Sequence, residues 1–98
     1  MILRVSFHES AEIELNEAAE YYESQVKGLG KAFLDDVELT IDFIQANPDS
    51  SSRVLKVVRK SLLRRFPYSI LYSVNDTIIN ILTIAHHKRR PFYWRFQG

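Results

Sequence analysis

The spacing of the apolar residues changes part-way along the chain, and this change constrains the fold more than any other feature. Up to Asn47-Pro48 the apolar residues recur every three or four positions, which is typical of amphipathic helices. From Val54 onward they alternate with polar residues or form short continuous runs, which is typical of β-strands. A chain of 98 residues is too short for two cores. We therefore expect one domain, residues 1–98, with a helical part and a stranded part.

Two helices are predicted in the first half. The apolar stripe of the first helix consists of Ala11, Leu15, Ala18, Ala19, Tyr22 and Val26. The stripe of the second consists of Phe33, Val37, Ile41 and Ile44. Gly28-Leu29-Gly30 separates the helices, because glycine tolerates the left-handed conformation that closes a helix end, and Asn47-Pro48 ends the second one. A connection this short predicts an antiparallel helical hairpin.

The remaining segments predict four strands. The first is Ile2–Phe7, and the polar connector Asp49–Ser52 separates the helices from the later strands. These later strands are predicted at Leu62–Phe66, Tyr68–Val74 and Thr77–Ala85. Asn75-Asp76 marks a tight turn before the last strand, which is apolar on both faces and should lie inside the sheet. The sequence therefore predicts an α+β fold, β-α-α-β-β-β, with the helical hairpin packed on a mainly antiparallel four-stranded sheet.

Charge is divided between the same two halves. Met1–Ser52 contains eleven Asp or Glu and three Lys or Arg, a net charge of −8. Arg53–Gly98 contains ten Lys or Arg and one acid, a net charge of +9. A folded chain with this division should have one strongly positive region, whose natural partners are anions. An acidic protein surface, a nucleic-acid backbone and an acidic peptide are all candidates.

Several kinds of protein are excluded. The chain has no cysteine, so it has no disulfide framework and no thiolate zinc site. No apolar run resembles a signal peptide, and none approaches the roughly 18 residues of a membrane span. Phosphate-loop, nucleophile-elbow and zinc-protease motifs are missing. We expect a cytoplasmic protein that needs no cofactor and no metal.

A run of cations approaches and follows the second predicted strand. It consists of Arg53, Lys56, Arg59, Lys60, Arg64 and Arg65. Strand alternation would place Lys60 and Arg64 on one face, and Arg59 and Arg65 on the other. Such residues commonly protect a sheet edge from aggregation. Six cations without an intervening acid exceed that need, so we favour anion binding.

A second cluster follows the last predicted strand. It consists of His86, His87, Lys88, Arg89, Arg90, Tyr93 and Trp94. Imidazole, guanidinium and phenol are the groups that a metal-free ribonuclease would use for acid–base cleavage. Two adjacent histidines on a strand point to opposite faces, so at most one should face such a site. The terminal aromatic residues could equally fold back onto the core.

Three stretches together resemble the RelE/ParE superfamily of small bacterial toxins. The helical stretch carries Ala11, Leu15, Ala18, Tyr21-Tyr22-Glu23, Gly28-Leu29-Gly30, Phe33 and Asn47-Pro48. The central stretch reads Arg64-Arg65-Phe66-Pro67-Tyr68-Ser69-Ile70-Leu71-Tyr72. The last stretch carries Ile84-Ala85-His86-His87-Lys88-Arg89-Arg90-Pro91, Tyr93 and Trp94. The resemblance covers almost the whole chain in order, and its features are closer to the ParE-like branch.

The resemblance implies the toxin of a type II toxin–antitoxin pair, neutralised by a small antitoxin that lies across it. Members of the superfamily either cleave messenger RNA on the ribosome or poison DNA gyrase. The ribosome-dependent nucleases usually carry an arginine after the tyrosine that opens the third predicted strand, whereas Ser69 follows Tyr68 here. Serine offers no permanent charge to a transition-state phosphate. The resemblance therefore favours gyrase inhibition over catalysis, with messenger-RNA cleavage and antitoxin binding without toxicity as alternatives.

The site residues follow from these readings. If the chain is a nuclease, its catalytic residues would be Arg64, Arg65, His86, His87, Arg89 and Tyr93. The arginines would stabilise charge, one histidine would be the base and the tyrosine the acid. Contacts to partners, whether the antitoxin, gyrase, or the ribosome and messenger RNA, would come from Lys60, Arg64, Arg65, Lys88, Arg89, Arg90, Tyr93 and Trp94.

Overall fold

Two helices pack on one sheet in the computed structural model, which describes residues 3–88. The helices are α1 (Glu9–Gln25) and α2 (Leu29–Ala46). The strands are β1 (Arg4–Phe7), β2 (Ser52–Leu55), β3 (Val58–Leu62), β4 (Tyr68–Asn75) and β5 (Ile78–His86). The predicted α+β class is confirmed, but the sheet has five strands where four were expected.

The strands lie in the order β1-β5-β4-β3-β2. β1 pairs parallel with β5, and every other pair is antiparallel, so the sheet is mainly antiparallel as expected. β5 lies between β1 and β4, which confirms the interior position that its apolar faces predicted. Ile79 and Ile81 of β5 are fully buried. The turn before β5 contains Asp76 with a positive φ of 54°, in agreement with the predicted tight turn.

The helical hairpin closes at Gly28, whose φ of 88° is left-handed and favours glycine. The Glu23 carboxylate accepts hydrogen bonds from the amides of Gly28 and Gly30, each at 2.9 Å. Gly30 lies inside α2 and does not help to end α1. Its role is to allow close helix packing, since a β-carbon there would lie 2.6 Å from the carbonyl oxygen of Ala19.

The core lies between the hairpin and one face of the sheet. Its buried members are Ala11, Ala18, Phe33, Val37, Ile44, Leu63, Ile70, Tyr72, Ile79, Ile81 and Ile84. The two predicted helical stripes supply the helical part of this core, with one exception. Val26 is 58% exposed because α1 ends at Gln25 and Val26 adopts an extended conformation. Its assignment to the buried stripe was wrong.

The strand predicted at Leu62–Phe66 was wrong, because β3 occupies Val58–Leu62 and the chain then leaves the sheet. In the pairing of β3 with β4, Arg59 lies opposite Tyr72 and Leu62 lies opposite Ser69. The sequence did not predict β2. This strand begins at Ser52, the last residue of the expected connector, and pairs with β3 so that Ser52 lies opposite Lys60. An edge strand of only four residues is too short to show an apolar pattern, so its sequence resembles a loop.

No helix within residues 3–88 is long and apolar enough to cross a membrane.

The close packing at Gly30 gives a test of the hairpin. Alanine is normally better than glycine inside a helix by about 1 kcal/mol. We expect Gly30→Ala instead to lower the free energy of unfolding by about 1–3 kcal/mol, because the added methyl group would meet the backbone of α1. Urea denaturation measures the change, with Ser24→Ala on the exposed end of α1 as the control. A stabilised Gly30→Ala variant would contradict this packing.

Candidate functional site

Parts of the two basic clusters of the sequence, Arg64 and Arg65 from the first and His86 to Lys88 from the second, lie at one end of the sheet. Residues 63–67, the 63–67 loop, connect β3 to β4, and the amide of Leu63 closes the loop by donating to the carbonyl of Tyr68 at 2.9 Å. The amide of His87 donates to the carbonyl of Pro67 at 2.9 Å, which joins the end of β5 to this loop. Arg64 and Arg65 therefore lie at the same end of the sheet as His87 and Lys88.

The 63–67 loop is held by the carboxylate of Asp36, a residue that the sequence analysis did not select. Asp36 is 2% exposed. Its Oδ2 accepts hydrogen bonds from the amides of Arg65 at 2.8 Å and Phe66 at 3.2 Å. Its Oδ1 accepts a longer one from the amide of Arg64 at 3.4 Å. A buried carboxylate requires such donors, and the loop supplies them from consecutive backbone groups.

A signal for Asp36 was present in the sequence. It lies three residues after Phe33 and one before Val37, so helical geometry places it on the face of α2 that is buried. Thr40, one turn later, is also buried and donates its hydroxyl to the carbonyl of Asp36 at 2.8 Å. An acid within an apolar stripe is more informative than one of the many acids on the exposed faces.

The side chains of Arg64 and Arg65 are exposed, and within residues 3–88 neither takes part in an ion pair. Because β3 ends at Leu62, the expected alternation of Lys60 and Arg64 on one face and Arg59 and Arg65 on the other is wrong for the two loop residues. Asp36 binds their amides, which leaves both guanidinium groups available at the surface.

The 63–67 loop is attached to an aromatic cluster of the core through the ring of Phe66. The ring of Phe66 packs edge-on against Tyr22 and Phe33, with centroids 4.9 Å and 5.3 Å away. Tyr68 packs against Phe33 at 5.0 Å and, on its other side, against the ring of His86 at 5.0 Å. Edge-to-face packing of this kind fixes ring positions. It connects the core to the end of β5.

The two histidines point to opposite faces, as the sequence predicted. His86 contacts Tyr68 on the core side, and its Nδ1 accepts a hydrogen bond from the amide of Lys88 at 3.0 Å. His87 lies on the outer face of the sheet, which is the face opposite the helices. Strand alternation and pairing place Lys60, Leu62, Ser69 and Leu71 on the same face. Its Nε2 is 3.0 Å from the hydroxyl oxygen of Ser69, a residue that is only 4% exposed.

The basic run of the sequence is divided by the structure. Arg59 is used internally: its guanidinium donates to the carbonyls of Asp49 at 3.0 Å and Ser51 at 2.6 Å, and its side chain is 17% exposed. Lys60, the next residue, is exposed on the outer face. Lys56 lies in the β2–β3 turn, at the opposite end of β3 from the 63–67 loop. The run therefore does not form one continuous cationic surface.

A pocket of about 210 Å³ lies between α1 and the same end of the sheet. Its lining residues are Glu14, Glu17, Ala18, Tyr21, Tyr68 and Ile84. The Oε1 atom of Glu14 accepts hydrogen bonds from the hydroxyl of Thr83 at 2.6 Å and the amide of Ile84 at 3.1 Å. β1 ends at Phe7, so this carboxylate satisfies a backbone group that β1 does not reach.

Four selected residues, Arg89, Arg90, Tyr93 and Trp94, lie outside the described residues, and their roles stay predictions. Among residues 3–88, no three His, Asp or Glu side chains are grouped so that they could hold a metal ion.

Comparison with protein families decides what kind of protein carries this site. The family model described as the ParE toxin of the type II toxin–antitoxin system parDE matches residues 5–91. The chain belongs to this family. It is thus a ParE-family toxin of the wider RelE/ParE superfamily, as its sequence indicated. A comparison with curated protein sequences finds no match.

Solved structures share the fold of this ParE-family toxin. A chain of the chromosomal ParDE system from P. aeruginosa is 24% identical, with a TM-score of 0.73 over 87% of this chain and 96% of that one. A chain of the toxin–antitoxin complex RelBE2 from Mycobacterium tuberculosis is 18% identical, with a TM-score of 0.61 over 88% of this chain and 99% of that one. The free E. coli toxin RelE, as a double arginine-to-alanine mutant, is 18% identical, with a TM-score of 0.57 over 90% of this chain and 86% of that one.

Two adjacent cations of the ParE-family chain should behave differently on substitution. Arg59→Gln removes hydrogen bonds from a mostly buried guanidinium, so we expect the free energy of unfolding to fall by about 1.5–3 kcal/mol. Lys60→Gln, on the exposed side of the same strand, should change it by less than about 0.5 kcal/mol. Urea denaturation compares the two variants. Equal losses would mean that Arg59 has no structural role beyond that of a surface cation.

Proposed function

We propose that this ParE-family toxin inhibits DNA gyrase and that a cognate antitoxin neutralises it. The observation that carries the gyrase part is the environment of Ser69. The resemblance to the superfamily implies that ribosome-dependent nucleases usually have an arginine at this position, after the tyrosine that opens the strand. Here the position holds a small hydroxyl that is buried and within hydrogen-bonding distance of His87.

The chemistry of phosphate transfer explains why this difference matters. Cleavage of an RNA backbone builds negative charge on the oxygens around a pentavalent phosphorus, and fixed cations or hydrogen-bond donors usually provide the largest stabilisation. A serine engaged with His87 at 3.0 Å provides no such charge from its own position. The same contact ties up the Nε2 atom of His87, one of the two candidate bases. Both features favour a toxin that acts by binding.

The exposed cations at the 63–67 loop suit a binding role. Arg64 and Arg65 stand side by side, and Lys88 lies at the same end of the sheet. Guanidinium groups bind carboxylates and phosphates in a bidentate manner and are weakly hydrated, so they are well suited to protein and nucleic-acid surfaces. Gyrase bound to DNA offers both kinds of anion. We assign Arg64, Arg65, Lys88 and the neighbouring Lys60 to the toxic surface.

An antitoxin partner is supported by the family and by the structures that resemble this chain. The matched family consists of toxins of a type II toxin–antitoxin system, and one of the similar structures is a toxin–antitoxin complex. An acidic antitoxin segment would be attracted by the basic end of the sheet, and this attraction would speed the encounter. Neutralisation would then follow from covering the surface that the target needs.

A second candidate function is RNA cleavage on the ribosome. It is favoured by one observation, which is that Arg64, Arg65 and both histidines meet at one end of the sheet although about twenty residues separate them in the sequence. The nuclease would need Arg64, Arg65 or Arg89 to replace the missing cation beside Tyr68. A third candidate, an antitoxin-binding protein without toxicity, has no observation in its favour.

One paired experiment separates these candidates. The purified toxin is incubated with gyrase and relaxed plasmid, and in parallel with ribosomes programmed with messenger RNA. We expect inhibited supercoiling or trapped double-strand breaks in the first reaction and intact RNA in the second. Cleavage of the RNA within a codon would overturn the gyrase proposal in favour of the nuclease. If neither reaction changes and the protein is folded, both toxic functions are wrong.

The position of the charges, and not their number, should decide toxicity. We expect the double variant Arg64→Gln/Arg65→Gln to weaken growth inhibition by about tenfold or more, because each lost charged contact costs at least about 1 kcal/mol. The control Arg53→Gln/Lys56→Gln removes the same charge from the other end of β3 and should retain inhibition. Growth of an induced culture measures both. Equal losses in the two variants would show that net charge alone is important.

The residues beyond the described range need their own test. Ending the chain after Lys88 removes Arg89, Arg90, Tyr93 and Trp94 but leaves all of β5. If these residues contribute to the toxic surface, the shortened chain should lose toxicity while it still binds the antitoxin. Growth inhibition and co-purification with the antitoxin are the two measurements. A shortened chain with full toxicity would remove these four residues from the proposed site.

A further inference from the structure

We propose that Asp36 is a positioning residue for the toxic surface: it holds the backbone of the 63–67 loop so that Arg64 and Arg65 present their side chains outward together. The proposal rests on the function proposed for these arginines, but its structural part can be tested alone. Asp36 is at 2% exposure, deep inside the protein, yet within residues 3–88 it makes no ion pair with a Lys, Arg or His side chain.

The first step of the argument is the choice of donors. A buried carboxylate beside two arginines would ordinarily be expected to bind a guanidinium group. Asp36 instead accepts hydrogen bonds from three successive amides, at 3.4, 2.8 and 3.2 Å. Among residues 3–88, its charge is therefore satisfied by the backbone of the loop and not by a cationic side chain. The two guanidinium groups are not needed to neutralise it, and they stay exposed.

The second step concerns the shape of the loop. Amides of consecutive residues in an extended strand point in opposite directions, so three of them cannot converge on one carboxylate. Convergence on Asp36 requires the chain to curl at Arg64, two residues after β3 ends at Leu62. The side chains of the curled residues are then directed away from the carboxylate. An adjacent pair that would lie on opposite faces of a strand is thereby presented on one exposed turn.

The third step is that the anchor cannot move easily. Asp36 belongs to α2, where Phe33 and Val37 are buried beside it in the core. Phe66, the last residue whose amide binds Asp36, packs its ring on Phe33. The loop is thus attached to α2 by hydrogen bonds and by an aromatic contact. Asp36 supplies the directional part of this attachment, because an aromatic contact alone does not orient amides.

Asp36→Asn is the sharpest variant, because asparagine has nearly the same volume and keeps one carbonyl oxygen. It replaces the other acceptor with an N–H₂ group that faces an amide donor, so at least one loop amide loses its partner. It also removes the charge, so the remaining neutral carbonyl binds the other loop amides more weakly. The control is Ile44→Val, which removes one buried methyl group from the same helix and lowers global stability without touching the loop. The two variants separate a local effect on the loop from a general loss of stability.

Amide hydrogen exchange measured by NMR is the direct readout. In the wild-type protein, the amides of Arg65 and Phe66 should exchange slowly although they lie outside any strand. In Asp36→Asn they should exchange about tenfold faster or more, while the amides of β5 in the same sample change much less. Trypsin should cleave after Arg64 or Arg65 faster in this variant. Ile44→Val should show neither local change.

The result for the wild-type protein keeps the proposal testable even if Asp36→Asn does not fold. If the amides of Arg65 and Phe66 exchange at the rate of an unstructured chain in the wild type, Asp36 does not hold the loop and the proposal is wrong. It is also wrong if Asp36→Asn leaves their exchange unchanged, or if Ile44→Val accelerates it equally.

The functional readout is growth inhibition. We expect Asp36→Asn to lose toxicity as Arg64→Gln/Arg65→Gln does, and Ile44→Val to keep it. Full toxicity in an Asp36→Asn protein whose loop exchanges freely would overturn the positioning role. If the double arginine variant itself stays toxic, the proposed toxic surface fails, whereas the exchange data still decide whether Asp36 holds the loop.

Discussion

This end of the molecule depends on one buried carboxylate, Asp36, which within residues 3–88 has no cationic side chain to neutralise it. Asp36 lies in the apolar stripe of α2, and burial there is tolerable only if donors converge on it. The amides of Arg64, Arg65 and Phe66 provide them. Because those amides serve the carboxylate, they cannot continue a β-ladder. The end of β3, the position of the 63–67 loop and the outward direction of two arginines all follow.

The division of charge along the sequence becomes a division between layers. Most acids occupy the exposed faces of the helices, with Asp36 as the buried exception, and most of the described cations lie on the sheet and its loops. Within residues 3–88 the two ion pairs are local: Lys31 with Asp35, which raises the pKa of Lys31 through their hydrogen bond, and Arg59 with Asp49. The cations at the 63–67 loop are thus not neutralised by the helices, and they remain available to a partner.

The fold alone does not decide the target. Structures of ParDE, RelBE and RelE chains share this arrangement of two helices on a sheet, and one fold can carry several functions. The difference has to come from individual side chains. In this chain the most telling is Ser69, buried against His87 at a position where a cation would assist phosphate chemistry. The proposed binding role, with the arginines of the 63–67 loop at its centre, rests on this difference.

Local patterns in the sequence were sufficient for both helices, for β4 and β5, for the turn at Asp76 and for the opposite directions of His86 and His87. Each depends on neighbours a few residues away, and periodicity reports such neighbours directly. The edge strand β2, the end of β3, the internal use of Arg59 and the role of Asp36 were decided by tertiary structure alone. Asp36 and the amide of Arg65 are 29 residues apart. A charge whose partners are backbone amides so distant leaves no pattern among the side chains around it.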